Sequence, residues 1–230
     1  MDRRSSRAAW RRGGPVFVVG FVISLVLGAV LSRSSVYLPT ATPGQLRDYY
    51  DHSGTAVTVS SLLQLIAAGG LLRFGLGATA VVGAGRRARY ATWLAAGAFA
   101  LSSGLALSLT VVAGSAGDGT LLVLARLTLV IGGPIHLAGL AGLLWSVSRR
   151  ALAEGLGPRW LARFGVAVGP LLLISLASLL VPAVAVVEPL WRLLAAVWIN
   201  GVSAAGLGRA DRRGAVAESG RTGTRSPADS

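Results

Sequence analysis

Six stretches of this chain, about 15–32, 56–83, 91–113, 120–147, 164–182 and 186–206, consist almost wholly of Leu, Val, Ala, Ile and Gly. Each is long enough, or nearly so, for the ~20 helical residues that cross a bilayer. A soluble domain carries about 25% charged residues, whereas these 230 residues are 13% charged and 53% hydrophobic. So much apolar surface exceeds what one water-soluble core of this length can bury, which leaves lipid as the solvent. The 31 glycines suit that solvent, because small residues let membrane helices approach closely.

Arginine clusters punctuate the apolar stretches, and there is no lysine. Arg3, Arg4, Arg7, Arg11 and Arg12 precede the first. Arg86, Arg87 and Arg89 separate the second from the third; Arg149, Arg150, Arg159 and Arg163 separate the fourth from the fifth. Arg209, Arg212, Arg213, Arg221 and Arg225 follow the sixth. The alternate connections hold only Arg33 and Arg47, while Arg73, Arg126 and Arg192 fall within spans. Positive charge marks the cytoplasmic side. The expected fold is therefore all-α, a polytopic integral membrane protein with six transmembrane helices and both termini cytoplasmic. An odd number of spans would place one basic tail on the wrong side. A pI near 11.8 would suggest nucleic acid for a soluble chain, but this clustering points to the lipid bilayer and its anionic headgroups as partners.

The segment 15–32 has the basic start of a signal peptide, yet "GAVLSRSS" offers no small-x-small cleavage site, so it reads as a retained first helix. In the external loop, 33–55, "TPGQ" has the form of a capping box with Thr42 as N-cap, Pro43 at N1 and Gln45 at N3. Leu46, Tyr49 and Tyr50 follow at helical spacing. They predict a short amphipathic helix on the outer surface, its tyrosines at headgroup level. Asp48, Asp51 and His52 offer a ligand grip there, against the plainer reading of a spacer. From 207 the chain turns polar and basic, as a disordered cytoplasmic tail does. "GPIHLAGLAGLL" and "GPLLLISLASLL" share a Gly-Pro start, a pattern that an inverted repeat or chance both produce.

Ionisable residues inside spans cost about 2.5–3.5 kcal/mol on the insertion scale and suggest function. Arg126 lies near the outer start of the fourth span, where snorkelling explains it equally well. Glu188 and Arg192 are four apart at the outer start of the sixth, the favourable order for an ion pair. His136 follows Pro134 near mid-span; a proline there frees a carbonyl and makes a polar spot. It is a candidate proton carrier, or a neutral histidine tied to a neighbouring helix. Arg73 faces a break around "GLGA" or is buried, and Gln64 and Asn200 glue helices by hydrogen bonds. Gly165 and Gly169 mark a close-contact face on the fifth span.

Enzyme chemistry finds little support. Ser102 or Ser103 lies at a depth compatible with His136, but "LSSG" lacks the form of a hydrolase nucleophile. Two histidines, no cysteine and no H-E-x-x-H argue against a catalytic metal. No nucleotide or other cofactor fingerprint is present.

"RRALAEGLGPRWLARFGVAVGPLLL" and "EPLWRLLAAVWI" resemble the bacterial six-helix membrane family catalogued as domain of unknown function 4386. The resemblance runs over most of residues 15–206. It implies six-helix architecture in a bacterial inner membrane and carries no established activity. Several members have an acidic residue in the third helix, where this chain has "LAAGAFALSSG". Pro158, Arg159 and Trp160 match its motif and suit a helix start, a headgroup contact and an interfacial ring. The expectation is a cell-membrane protein without enzymatic activity, whose polar site for a small molecule or proton comprises Arg126, His136, Glu188 and Arg192. The alternatives are an intramembrane hydrolase using Ser102 or Ser103 with His136, and a structural or sensory subunit.

Overall fold

The structure, a computed structural model, describes residues 10–34, 40–181 and 188–207. The expected polar tail lies almost entirely outside the described residues. Those that are described form helices α1 (Gly13–Leu31), α2 (Pro43–Val82), α3 (Gly85–Val112), α4 (Asp118–Val130), α5 (His136–Glu154), α6 (Arg159–Leu172) and α7 (Glu188–Ala205), with no strand among them. A π-helical turn, Ile131–Ile135, joins α4 and α5 into one rod, and a 3₁₀ segment, Leu173–Leu179, prolongs α6. Gly83 and Gly155 end α2 and α5 with φ of 63° each, a left-handed conformation that glycine adopts without steric cost.

Among the described residues five rods are long and apolar enough to cross a membrane: Trp10–Leu31, Pro43–Val82, Gly85–Val112, Asp118–Glu154 and Arg159–Leu179. Helix α7 falls short of that apolarity because Glu188, Arg192 and Asn200 share its 18 residues. The rods' outer faces are oily, with Val30, Val111 and Leu180 exposed by 72%, 81% and 87%. Large apolar side chains displayed all around a bundle are what a lipid solvent requires. The fold is that of an integral membrane protein in composition and helix length.

Each rod packs on the next in chain order, and α7 closes the circuit between α6 and α1. Phe17, Phe21, Phe74, Phe99, Leu140, Leu144 and Trp198 fill the centre. Missing Cβ atoms set the approach of neighbours: a Cβ on Gly13 or Gly70 would run into the other helix's backbone, and one on Gly139 into the backbone of Ala95. The Gly165 and Gly169 pair does the same for α6, backing onto Ser148 and Trp198 and onto Trp145.

Two expectations are corrected. The capping box forms, with Thr42 Oγ1 accepting from the Gln45 N–H and Gln45 Oε1 accepting from the Thr42 N–H, but no separate surface helix follows. The segment is the start of α2, which runs unbroken for 40 residues, ~60 Å at 1.5 Å per residue. With only 19 residues in α1 and 18 in α7, α2, α3 and α4 continue past the six-helix level as a three-helix extension. Its core is Leu46, Tyr50, Val57, Leu109, Ala113, Leu121 and Ala125. Leu46 and Tyr50 therefore bury against protein. The break expected beside Arg73 is likewise absent; α2 is continuous through "GLGA" and Arg73 sits on an exposed face.

Candidate functional site

The polar centre is built on "IGGPI". Pro134 has no N–H, and its ring crowds the carbonyl one turn back, so the helix takes up an extra residue as a π turn. The His136 N–H turns to the carbonyls of Ile131 and Gly133, leaving the Gly132 carbonyl without its usual i+4 donor. Arg192 Nη2 donates to that oxygen at 2.6 Å. The missing side chains complete the fit: a Cβ on Gly133 would strike the Glu188 carboxylate, and one on Gly132 the Ser102 side chain.

Glu188 opens α7, and its Oε2 lies 3.6 Å from Arg192 Nη2. The 3₁₀ segment brings in a third chain element. Ser178 Oγ stands 2.9 Å from Glu188 Oε1 and 2.6 Å from the Ser175 carbonyl, one hydroxyl proton between two acceptors. The Glu188 side chain is 9% exposed and the Arg192 side chain 19%. The pair is thus nearly dry, and the arginine Nε is buried without a partner among the described residues. Burying two opposite charges is tolerable only when their remaining valences are met, and Ser178 and the Gly132 carbonyl meet two of them.

His136 lies one turn beyond Gly132, fully buried. Its Nδ1 donates to the Ala95 carbonyl at 2.8 Å, and the ring stacks on Phe99 with centroids 4.7 Å apart. Nε2 has no partner among the described residues.

Of the four residues expected to form one site, the structure brings together Glu188 and Arg192 with His136 a turn away. Arg126 lies elsewhere: it is exposed on the outward face of α4, while Ala125 and Thr128 turn inward. Neither candidate nucleophile meets His136. Ser102 donates to the Thr128 carbonyl at 2.8 Å, and Ser103 to Gln64 Oε1 and the Phe99 carbonyl. Gln64 thus ties α2 to α3, whereas Asn200 is exposed.

On the extension, Arg47 pairs with Asp118 at 2.7 Å and donates to the Ala116 carbonyl. Asp48 and His52 make only a local, exposed pair. Among the described residues no group of three or more His, Asp or Glu is placed to hold a metal. Ser178 and the Gly132 carbonyl were not anticipated from sequence; the one visible signal was Gly-Gly-Pro, ending two residues before His136 in an apolar run. In comparisons with known proteins the chain matches no family model, no curated protein and no solved structure.

Proposed function

We propose that this chain is a six-span protein of the bacterial cell membrane, with both ends cytoplasmic, and that it binds a small molecule or proton at Glu188 and Arg192. Membership in the family of domain of unknown function 4386 is part of the same proposal. The observation that carries the site is the Arg192 guanidinium shared between the π-turn carbonyl of Gly132 and the Glu188 carboxylate. Buried charges in a span are costly and by default functional, and here the helix backbone is itself deformed to receive one. Thirteen residues separate His136 from Arg149, ~20 Å along the rod, so the site lies in the half of the membrane away from the basic clusters.

The arrangement suits a reversible load. Protonation of Glu188, or an incoming anionic or hydrogen-bonding group, competes for Arg192 and loosens the contact that caps the π turn. The charged group facing Glu188 is Arg192, with the Ser178 hydroxyl on its other oxygen. The test uses purified protein in lipid nanodiscs, following tryptophan fluorescence against pH, since Trp191 adjoins the pair. A titration present in wild type and abolished in Glu188→Gln is the expected result. An identical titration in the variant overturns the assignment of Glu188 as the proton site.

A further inference from the structure

At the arginine-rich end of the bundle, the seam between α5 and α6 carries cations that no acid neutralises. The two helices run antiparallel, and their glycines fix the register. A Cβ on Gly169 would lie 3.2 Å from Trp145 Cβ, and one on Gly165 would strike the Ser148 hydroxyl. By that count Arg149 and Arg163 fall within two residues of one level, ~3 Å at helical rise. Gly165 also backs onto Trp198, and Leu161 meets Gly201, so α7 covers one flank of the seam. Trp145 and Arg149 share a face of α5, and Arg159 and Arg163 a face of α6. These faces border the other flank, where all four residues are exposed. Arg150 does not join them: it pairs with Glu154 at 2.8 Å and donates from Nε to the Val82 carbonyl of α2. Among the described residues no carboxylate pairs with Arg149, Arg159 or Arg163. The Arg149 guanidinium instead lies over the Trp145 ring, 5.4 Å from its centroid. An arginine at the end of a span ordinarily reaches outward for water; this one is folded back one turn toward the bilayer.

We infer that this furrow binds an anionic phospholipid of the leaflet at the arginine-rich end, its phosphate between Arg149 and Arg163 and Arg159 one turn further out. Guanidinium forks match the paired oxygens of a phosphodiester, and basic grooves between membrane helices recognise lipid headgroups in this way. Trp145 offers the lipid beneath the phosphate an amphipathic ring at the interface. A zwitterionic lipid would bring its own ammonium into an already positive furrow, so the preferred headgroup is one whose phosphate carries a neutral polyol. The furrow is on the lipid-facing surface, apart from Glu188 and Arg192, and its occupancy stands independently of the proposed function.

The test takes the full-length protein in detergent micelles, titrates it with phosphatidylglycerol or phosphatidylcholine, and counts bound lipids by native mass spectrometry. Wild type should hold one phosphatidylglycerol more tightly than any phosphatidylcholine. Arg149→Gln with Arg163→Gln should weaken that binding roughly 30-fold, through two lost phosphate contacts. Arg86→Gln with Arg87→Gln makes an equal change of charge at the start of α3 and should leave the binding within about twofold of wild type. All four arginines are exposed, so thermal unfolding of both double variants should match wild type. If the first unfolds early, Arg163→Gln alone replaces it with the same direction of change. Equal weakening by the two double variants, or no preference in wild type, overturns the site. Displacement of the lipid by inorganic phosphate overturns the choice of a lipid over a free anion. A flat titration at Glu188 beside retained phosphatidylglycerol defeats the proposed function alone.

Discussion

His136 on α5 and Ala95 on α3 are joined by a 2.8 Å hydrogen bond from imidazole Nδ1 to the backbone carbonyl. A carbonyl only accepts, so the proton of the neutral ring sits on Nδ1 and Nε2 is left bare. Gly139, one turn further, makes the bond possible by letting α5 settle onto the Ala95 backbone. The histidine is in this respect a tie between helices. Replacing it with phenylalanine keeps the stack on Phe99 and removes the bond, which should cost about 1 kcal/mol. Thermal unfolding in nanodiscs reads the loss, and the fluorescence titration assigned to Glu188 should survive. A variant of wild-type stability lacking that titration would make His136 a participant instead.

The Glu188 and Arg192 pair separates charge from shape. Glu188→Gln keeps the volume and an acceptor for Ser178 but leaves the Arg192 guanidinium without its counter-charge, a loss of about 3–5 kcal/mol. Glu188→Ala removes the same counter-charge together with the side-chain volume and the acceptor for Ser178, so it should be the less stable of the two. Denaturant midpoints for the two variants check the order. A Glu188→Gln variant of wild-type stability beside a destabilised Glu188→Ala would mean that the pair contributes only packing.

Much of the helical framework is readable from hydropathy, because lipid demands continuous apolar runs, and the capping box was legible from Thr42, Pro43 and Gln45. The junction behind it was not. Residues 43–55 are too polar to read as a span, and nothing in hydropathy distinguishes a loop from a helix that leaves the membrane and keeps going. Arg126 shows a second limit. Its depth can be counted along the chain, but the face it occupies depends on how α4 turns relative to Ala125 and Thr128, which packing decides. Ser178 was hidden for a related reason: "LISLASL" reads as ordinary apolar helix, whereas in the 3₁₀ segment Ser178 meets Glu188 of α7.

Arg11 closes the basic end of the bundle. Its Nε donates to the Ser203 carbonyl at 2.6 Å and its Nη2 to the carbonyl of Ala204, so it caps the last turn of α7. Trp10 beside it is buried against Phe74, ring centroids 5.7 Å apart, over a spot where Gly77 leaves no Cβ in the way. A cation at a helix C-terminus is worth roughly 0.3–1 kcal/mol. Arg11→Ala should therefore speed amide exchange in the last turn of α7 and leave the π turn unaffected. Gly77→Ala should do more, since its methyl group displaces Trp10. If exchange in α7 is unchanged in both, the N-terminal turn does not hold the bundle closed.

The chain contains no cysteine, so single introduced thiols can test the proposed topology without background. Asp51 on the three-helix extension and Ala153 near the end of α5 are both exposed and lie at opposite ends of the rods. Asp51→Cys should react with a membrane-impermeant maleimide on intact cells, and Ala153→Cys only after permeabilisation. Arg126→Cys sharpens the test. It precedes Arg149 by 23 residues along a nearly continuous rod, ~35 Å at helical rise, slightly more than the ~30 Å hydrocarbon core. With Arg149 at the cytoplasmic headgroups, residue 126 reaches the opposite headgroups, and its thiol should label from the same side as Asp51→Cys. Labelling of Ala153→Cys from outside would reverse the orientation. Protection of Arg126→Cys beside a reactive Asp51→Cys would sink the rod deeper into the bilayer and move Glu188 and Arg192 towards its centre.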